Sequence, residues 1–363
     1  MKFTVLKESL LMSTKQVAKA ISPRTNMPIL SNILFQLNKE KLTLTGTNMD
    51  YTITSTLEVE SDDKGEFTVI GKPFLQLLQN LDEVEITVEN KGGTTYISTS
   101  HSTYRFQGQP AEDFPRMQNV EAESIVLKTS DIIDGMNYTS FCTAKDDPRA
   151  FLNGILWELG GGELRFVASD AHKLGFYVKN YENPLINDKK EAIVPKTIVD
   201  FLKDANSEDL KVYFGDNLLK IELPQSSLVT RLIDGPYVPY ESVIPHDYKD
   251  EVKVKKEEFI AALKRIINFT PQGTNLVEIE FNADMIMHAE NREMGEATEH
   301  ISVEHTGKVQ KIGFNGQYLL DIIRHIKSEK VVISYSDVNS PALIKPEETE
   351  DYHLLYLLMP IKL

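Results

Sequence analysis

The chain has 363 residues and is acidic, with 54 Asp and Glu against 39 Lys and Arg and a formal net charge of −15. This charge disfavours DNA binding as a global property, because Lys and Arg contacts to phosphate supply most non-specific affinity, unless basic residues collect on one surface. There is no run of about 20 apolar residues that could form a membrane helix. The lone cysteine, Cys142, excludes an internal disulfide and a thiolate metal cluster. Because the N-terminal apolar stretch is too short for a signal peptide, we expect a cytoplasmic protein.

The first predicted elements are a strand at residues 3–6 and a helix whose apolar side chains recur at helical spacing as far as Ile21. Lys15 and Lys19 occupy the opposite face of this helix. Similar helices are predicted after residue 127 and at residues 259–267. Between the helices, β-branched and aromatic runs closed by turn residues predict antiparallel hairpins, as at residues 84–98, 156–167 and 212–221. The sequence therefore indicates an α+β fold.

Two elements recur about a third of the chain apart. One is an apolar strand, a polar triplet and an amphipathic helix, with ungapped copies at residues 67–78, 191–202 and 311–322. The other is a strand at residues 31–37 and 153–159, with a looser copy at residues 275–281. A repeat this long predicts triplicated domains rather than a stacked array. We predict three domains of common size, each with two helices packed on antiparallel sheets, at residues 1–121, 122–246 and 247–363.

The search for catalytic motifs is mostly negative. No Gly-rich phosphate loop, helical His pair or Gly-x-Ser-x-Gly elbow is present, and we predict no metal site and no cofactor. The one cluster that suggests acid–base chemistry is Ser169-Asp-Ala-His172. A structured loop is the favoured interpretation, because Thr47-Asn-Met-Asp50 occupies the equivalent place in the first third. A hydrolase that uses Asp170 and His172 is the less favoured alternative.

An ordered set of motifs spans the chain and resembles the bacterial DNA polymerase III beta subunit, the replicative sliding clamp. The motifs are Met1-Lys-Phe-Thr-Val, Arg24-Thr-Asn-Met-Pro-Ile-Leu30, Phe151-Leu-Asn-Gly154, Ser169-Asp-Ala-His-Lys-Leu174, Arg231-Leu-Ile-Asp-Gly235 and Leu358-Met-Pro-Ile-Lys-Leu363. The resemblance implies a head-to-tail homodimeric ring of six similar domains, with helices lining the pore and sheets outside. It also implies a protein without catalytic activity, which tethers the replicative polymerase to encircled double-stranded DNA.

The resemblance implies that Arg24 and the loop carrying Arg149 touch DNA at the face of the ring. Further basic residues fall on or beside the predicted helices and are candidates for weak, non-specific phosphate contacts in the pore. They are Lys15, Lys19, Lys72, Lys196, Lys203, Lys264, Arg265, Arg324 and Lys327. For any one of them, a solvated helix face remains the alternative.

The resemblance also implies a pocket that docks short linear motifs of polymerase, clamp-loader and repair proteins. The residues that carry over are Leu152, Ser169, Ala171, His172, Lys173, Leu174, Val238, Val243, Asn339, Pro341, Leu357, Met359 and Ile361. Aliphatic side chains with a polar rim suit a Leu or Phe anchor, and methionine suits a pocket with several partners. Val238 stands where the family usually has proline, and Pro341 is a second departure. For Leu152, Leu174 and Val243, a plain core role stays open.

Ring closure requires a contact between the first domain of one chain and the third domain of its mate. Phe106 and Phe269 align with apolar interface positions of the family, although a buried role within their own domains stays open. A peptide-binding scaffold that never encircles DNA is the second alternative.

Overall fold

The structure, a computed structural model, describes residues 1–22, 25–184, 186–245, 247–349 and 351–363. These residues form six α-helices, α1 to α6 in chain order: Lys7–Ala18, Gly71–Gln79, Thr129–Thr139, Ile198–Leu202, Lys256–Ile266 and Gly316–Arg324. They include short 3-10 helices at Pro28–Ser31, Ala111–Asp113, Ser140–Cys142, Ala150–Asn153, Tyr240–Val243 and Ile267–Phe269.

The strands of the described residues are numbered β1 to β25 in chain order. They are Lys2–Leu6, Asn32–Asn38, Lys41–Thr47, Tyr51–Glu58, Lys64–Ile70, Glu85–Lys91, Thr94–Ser98, Thr103–Gln107, Ser124–Lys128, Gly154–Gly160, Glu163–Ser169, Lys173–Asn180, Lys190–Pro195, Asp209–Phe214, Leu218–Glu222, Ser226–Arg231, Asp250–Lys255, Leu276–Phe281, Asp284–Asn291, Gly295–Ser302, Glu304–Thr306, Gln310–Asn315, Lys330–Tyr335, Ala342–Pro346 and Tyr352–Leu358.

The first compact unit consists of Met1–Ile132 and Thr197–Leu232. It contains a four-stranded sheet in the order β1-β6-β7-β8 and an eight-stranded sheet in the order β5-β2-β3-β4-β16-β15-β14-β9. Helix α1 packs on β3 and β4 through a buried face that includes Leu10 and Val17, as its apolar spacing predicts. The helix ends at Ala18, so the prediction that its apolar face extends to Ile21 is wrong.

The second compact unit consists of Ile133–Lys196 and Ile233–Leu363. It contains a nine-stranded sheet in the order β13-β10-β11-β12-β25-β24-β23-β17-β21 and a four-stranded sheet in the order β20-β19-β18-β22. Helix α5 buries Phe259, Leu263 and Ile266 and packs against α6, β19 and β20. Acidic residues in its first turn and basic residues in its last turn complement the helix dipole.

The predicted internal repeat is confirmed element by element. The strand and helix pairs β5–α2, β13–α4 and β22–α6 are the three copies of the first element, and β2, β10 and β18 are those of the second. The pairing between consecutive thirds also repeats, because β4 pairs with β16 in one unit and β12 pairs with β25 in the other. The compact units divide the middle third between them, and the domain boundaries at residues 121 and 246 stay a prediction.

Candidate functional site

The Ser169–His172 cluster is a compact turn between β11 and β12. Ser169 Oγ donates to the Lys173 carbonyl at 2.9 Å and accepts from the Ala171 N–H at 3.1 Å. One oxygen of Asp170, Oδ1, accepts the N–H groups of His172 and Lys173, both at 2.9 Å. Ala171 has a φ of +72°, a left-handed conformation that side-chain capping of this kind supports. The polar atoms of this segment therefore hold the turn.

The equivalent turn in the first third has the same hydrogen bonds. Thr47 Oγ1 donates to the Tyr51 carbonyl at 3.1 Å and accepts from the Met49 N–H at 3.2 Å. Asn48 Oδ1 accepts the N–H groups of Asp50 and Tyr51 at 3.0 and 2.9 Å. Met49 has a φ of +79°. The interpretation of residues 169–172 as a structured loop is confirmed, and the Asp170 carboxylate that the hydrolase alternative required is occupied by two backbone N–H groups and by Lys173.

Lys173 joins this turn to helix α6. Its ammonium forms a buried ion pair with Asp170, and Nζ lies 4.1 Å from the centre of the Tyr318 ring, a cation–π distance. The His172 ring stacks on the same tyrosine with centroids 6.3 Å apart. Tyr318 stands in the first turn of α6, where the Asn315 side chain accepts its N–H at 3.0 Å. Tyr318 was not among the predicted site residues, although Asn315 is a recognisable helix cap.

An apolar cluster adjoins this turn. Its buried members are Leu156, Val167, Leu174, Ile193, Tyr240, Leu343, Leu355 and Leu357. Half-buried apolar side chains pack against them: Phe151, Phe176, Ile233, Tyr237, Val238, Ile244 and Tyr248. Three predicted pocket residues, Leu174, Val238 and Leu357, are thus brought together. Such a cluster with half-buried aromatic edges provides the apolar surface that a peptide anchor requires.

The other predicted pocket residues lie on neighbouring segments. Leu152 is buried in the 3-10 helix that precedes β10, whereas Val243 is 51% exposed at the end of the 3-10 helix that begins at Tyr240. Asn339 donates its N–H to Asp337 at 2.8 Å, in the loop that leads through Pro341 to β24. The structure therefore gives Val243 a surface position rather than a core one.

The C-terminal segment is attached to the same site by its backbone. The Met359 N–H donates to the His172 carbonyl at 2.9 Å, and the Ile361 N–H donates to the Gly313 carbonyl at 2.7 Å. The Met359 side chain is 43% exposed beside the His172 turn. This arrangement leaves a flexible apolar side chain at the rim of the cluster, where a partner could reach it.

The basic residues predicted to contact DNA fall into two groups. Lys15, Lys72 and Lys264 are exposed on α1, α2 and α5 and form no salt bridge with another described residue. Lys196 is exposed between β13 and α4, with Nζ 3.5 Å from the Ala144 carbonyl. Arg24 lies outside the described residues.

In the second group, each cation already has a carboxylate partner. Arg149 contacts Asp147 through Nε and Nη2, both at 3.0 Å, and these hydrogen bonds lower the pKa of the Asp147 carboxyl. Arg265 forms a bidentate pair with Glu299, with both distances 2.6 Å. The other pairs are Lys19 with Asp204, Lys203 with Asp200, Arg324 with Asp321, and Lys327 with Asp134.

The two predicted interface residues are both half-buried. Phe106 lies on β8, with its ring edge-on to that of Phe74 at 6.0 Å between centroids. Phe269 ends the 3-10 helix that follows α5 and lies beside β19 and β20. Each therefore makes contacts within its own unit and still presents part of its ring to the surface.

Among the residues that the structure describes, no group of three His, Cys, Asp or Glu side chains is arranged to hold a metal ion. None of the described helices has both the length and the apolar character that crossing a membrane requires.

Comparisons with known proteins give one consistent result. Residues 1–118, 126–239 and 241–362 match the N-terminal, central and C-terminal domains of the DNA polymerase III beta subunit. The beta sliding clamps of Haemophilus influenzae and Escherichia coli are 30% and 28% identical over 370 residues, covering 100% of each chain. The DNA polymerase III subunit beta from Pseudomonas aeruginosa has a TM-score of 0.95 at 28% identity, with 100% of both chains covered. A sliding clamp from the same organism bound to griselimycin has a TM-score of 0.94 at 28% identity, again with 100% of both chains covered.

Proposed function

We propose that this chain, which belongs to the DNA polymerase III beta subunit family, is a sliding clamp that encircles duplex DNA and confers processivity on the replicative polymerase. The observation that carries the proposal is the similarity to beta sliding clamps over the whole chain, in three successive domain matches. The clamp is not an enzyme and contributes tethering alone. Its three domains are proposed to span residues 1–121, 122–246 and 247–363, and its location to be the cytoplasm.

Ring closure is proposed to join two open strand edges head to tail. β8 ends one four-stranded sheet and β20 ends the other, and neither has a further strand partner among the described residues. The opposite edges each carry an isolated bridge, Thr4 to Glu60 beside β1 and Gly313 to Ile361 beside β22. An exposed edge is a template for pairing with a second chain, so β8 of one protomer can add to β20 of its partner.

Charge and apolar surface support the same contact. β8 carries the exposed Arg105, whereas β20 carries the exposed Glu296. Phe106 on β8 and Phe269 beside β20 supply the half-buried apolar side chains that a stable interface needs. The contact uses different surfaces of the two protomers. Such a contact closes a ring only when the rotation that relates one protomer to the next has a fixed value. Two chains of three domains each are proposed to provide that rotation.

The DNA contact is proposed to be weak and non-specific. Lys15, Lys72 and Lys264 are exposed and form no salt bridge with another described residue, so a phosphate can bind them without displacing a carboxylate. Arg24, Arg149, Lys19 and Lys196 are proposed to add further phosphate contacts. A ring keeps DNA by topology, so it needs no base readout and little affinity.

Partner docking is proposed at the apolar cluster and the turn beside it. An extended peptide would insert a Leu or Phe against Leu174, Val238 and Leu357, with Met359 and His172 at the rim. Buried apolar anchors of this kind supply most of the affinity of small interfaces. The proposed partners are the polymerase, the clamp loader and repair proteins, which would share this one site on each chain.

The decisive experiment is retention on DNA. The protein is loaded on nicked circular DNA, and the bound fraction is measured before and after the circle is cut once. A clamp slides off the linear product, whereas a scaffold that binds DNA or peptides without encircling shows no dependence on topology. A solution mass near twice 41.1 kDa is expected beforehand, and a stable monomer would contradict ring closure.

The docking site has a separate test with a matched control. Met359→Ala, or removal of residues 359–363, should weaken binding of a short fluorescein-labelled peptide ending in Leu-Phe while the dimer stays intact. The control is Met49→Ala, because Met49 is 42% exposed, against 43% for Met359, in the equivalent turn region of the first third. Equal peptide affinity of both variants and the unaltered protein would refute the assignment of Met359.

A further inference from the structure

A polar network around the buried Glu158 carboxylate adjoins the apolar cluster through Tyr240. Glu158, on β10, is only 6% exposed, and its carboxylate contacts the Lys189 ammonium through one oxygen and the Tyr240 hydroxyl through the other. Arg165, on β11, donates to the Tyr240 hydroxyl at 3.3 Å and to Glu241 at 2.9 Å. The Tyr240 hydroxyl thus accepts a hydrogen bond from Arg165 and donates one to Glu158, so it acts as both acceptor and donor.

This network restricts where Tyr240 can lie. A buried carboxylate that loses its partners is strongly destabilising, so the Tyr240 hydroxyl is held within reach of Glu158. Burial also raises the pKa of Tyr240, and the hydroxyl keeps its proton for donation. The phenol has only two side-chain torsions, so fixing its hydroxyl fixes the whole ring.

The other end of Tyr240 belongs to the proposed docking site. Its ring is part of the apolar cluster with Leu174 and Leu357, and it lies 5.6 Å from the Phe176 ring. Tyr240 begins the 3-10 helix that ends at Val243, and its N–H donates to the Val238 carbonyl at 2.7 Å. Two predicted pocket residues, Val238 and Val243, therefore lie before and after Tyr240 in the chain, and Tyr240 is the side chain that the network holds in place.

We propose that Glu158 is a positioning residue for partner docking: without touching the peptide, it anchors Tyr240 and so keeps residues 238–244 in place as one wall of the pocket. Lys189 neutralises the carboxylate and lets it remain buried. Loss of the anchor lowers the fraction of molecules whose wall is in place, and apparent affinity falls in proportion to that fraction. The inference rests on the proposed function, since it concerns the same pocket.

Two substitutions remove the anchor with little change of shape. Tyr240→Phe deletes the hydroxyl and keeps the ring in the cluster, and Glu158→Gln removes the charge that Lys189 and Tyr240 share. Each should weaken binding of the short peptide ending in Leu-Phe by roughly three- to tenfold, the range expected for one lost hydrogen bond. Because both substitutions disrupt the contact between Glu158 and Tyr240, their effects on peptide affinity should be less than additive in the double variant.

Glu191→Gln is the matched control. Glu191 lies directly opposite Glu158 in the pairing of β10 with β13, and its carboxylate is 3.9 Å from Lys189 Nζ. It is exposed, and its ion-pair partner is Lys189 and not Tyr240. Neutralising it tests whether a change of charge beside Lys189 is enough to alter peptide binding, and no change in affinity is expected.

Hydrogen exchange separates positioning from general stability. Amide exchange at residues 238–244 should accelerate in the Tyr240→Phe and Glu158→Gln proteins, while the amides of residues 170–173 keep their protection. A merely structural role would lower the unfolding temperature but leave peptide affinity and exchange in this segment unchanged in the folded protein. If that result is obtained and the unaltered clamp binds the peptide normally, the role of Glu158 is refuted and the proposed pocket stands. If the unaltered dimer does not bind the peptide, the proposed pocket is refuted together with the role of Glu158.

Discussion

The substitution Asp170→Asn separates two roles that one side chain combines. Asp170 Oδ1 accepts two backbone N–H groups at 2.9 Å, and its charge pairs with Lys173. In the first third, Asn48 accepts the equivalent pair of N–H groups at 3.0 and 2.9 Å. Asparagine is therefore compatible with this turn, and the substitution removes the negative charge and places an amide NH2 where Asp170 Oδ2 accepted from the Lys173 ammonium.

The expected loss of stability follows from burial. The Lys173 and Asp170 side chains are 6% and 11% exposed, so the pair is well shielded from water. Removing one partner of a buried pair costs roughly 3–5 kcal/mol, because the other charge is left uncompensated. The cation–π contact of Lys173 with Tyr318 is present before and after the substitution, so it cancels in the difference. We expect Asp170→Asn to lower the free energy of unfolding of its unit by about 3–5 kcal/mol.

The chain carries its own probe for this measurement. Trp157 is the single tryptophan, is fully buried and lies in the same compact unit, so its fluorescence in a urea titration reports unfolding of that unit. Adding Lys173→Met removes the stranded charge and should recover part of the loss, whereas Asn48→Asp should leave the Trp157 transition unchanged. If Asp170→Asn unfolds at the same urea concentration as the unaltered protein, the reasoning about the buried pair is refuted.

Three other predictions test separate parts of the molecule. Phe106→Ala or Phe269→Ala should shift the dimer towards monomer in sedimentation at micromolar concentration, and an unchanged mass would exclude that residue from the interface. Burial raises the pKa of the Cys142 thiol, so it should resist a thiol reagent at about pH 8 until urea unfolds the protein; rapid native labelling contradicts this. Glu299→Gln should release Arg265 and steepen the salt dependence of DNA affinity by about 0.9 in log–log slope, whereas an unchanged slope means that Arg265 meets no phosphate.

Local patterns predicted most of the secondary structure. The repeat at residues 67–78, 191–202 and 311–322 corresponds to the strand–helix pairs that end in α2, α4 and α6, because apolar periodicity and polar breakers act within a few residues. The turn at Gly92 and Gly93 could also be predicted from the sequence, because both positions have a positive φ, which favours glycine. Such features depend on residues that are neighbours in the sequence, so they can be predicted without knowledge of tertiary contacts.

The contacts in the site that join segments distant in the sequence could not be predicted from the sequence alone. Tyr318 is an ordinary residue in the first turn of a helix, and only packing brings its ring to Lys173 and His172, about 145 residues earlier in the chain. Glu158 lies on a predicted strand, and the sequence does not show that it is buried in contact with Tyr240 and Lys189, which are distant in the chain. The burial of a carboxylate cannot be recognised from the residues next to it in the sequence, because its partners in the folded protein decide whether burial is tolerated.

The distribution of ion pairs bears on how an acidic chain could contact DNA through the cations proposed above. Arg149, Arg265 and Lys19 each have a carboxylate beside them, so a phosphate must displace Asp147, Glu299 or Asp204 before it gains the contact. Exposed pairs of this kind contribute only about 0–1 kcal/mol, so displacement is possible but leaves little net gain. An acidic clamp can therefore present many cations and still hold DNA loosely. Strong phosphate binding would slow sliding, and retention by topology removes the need for it.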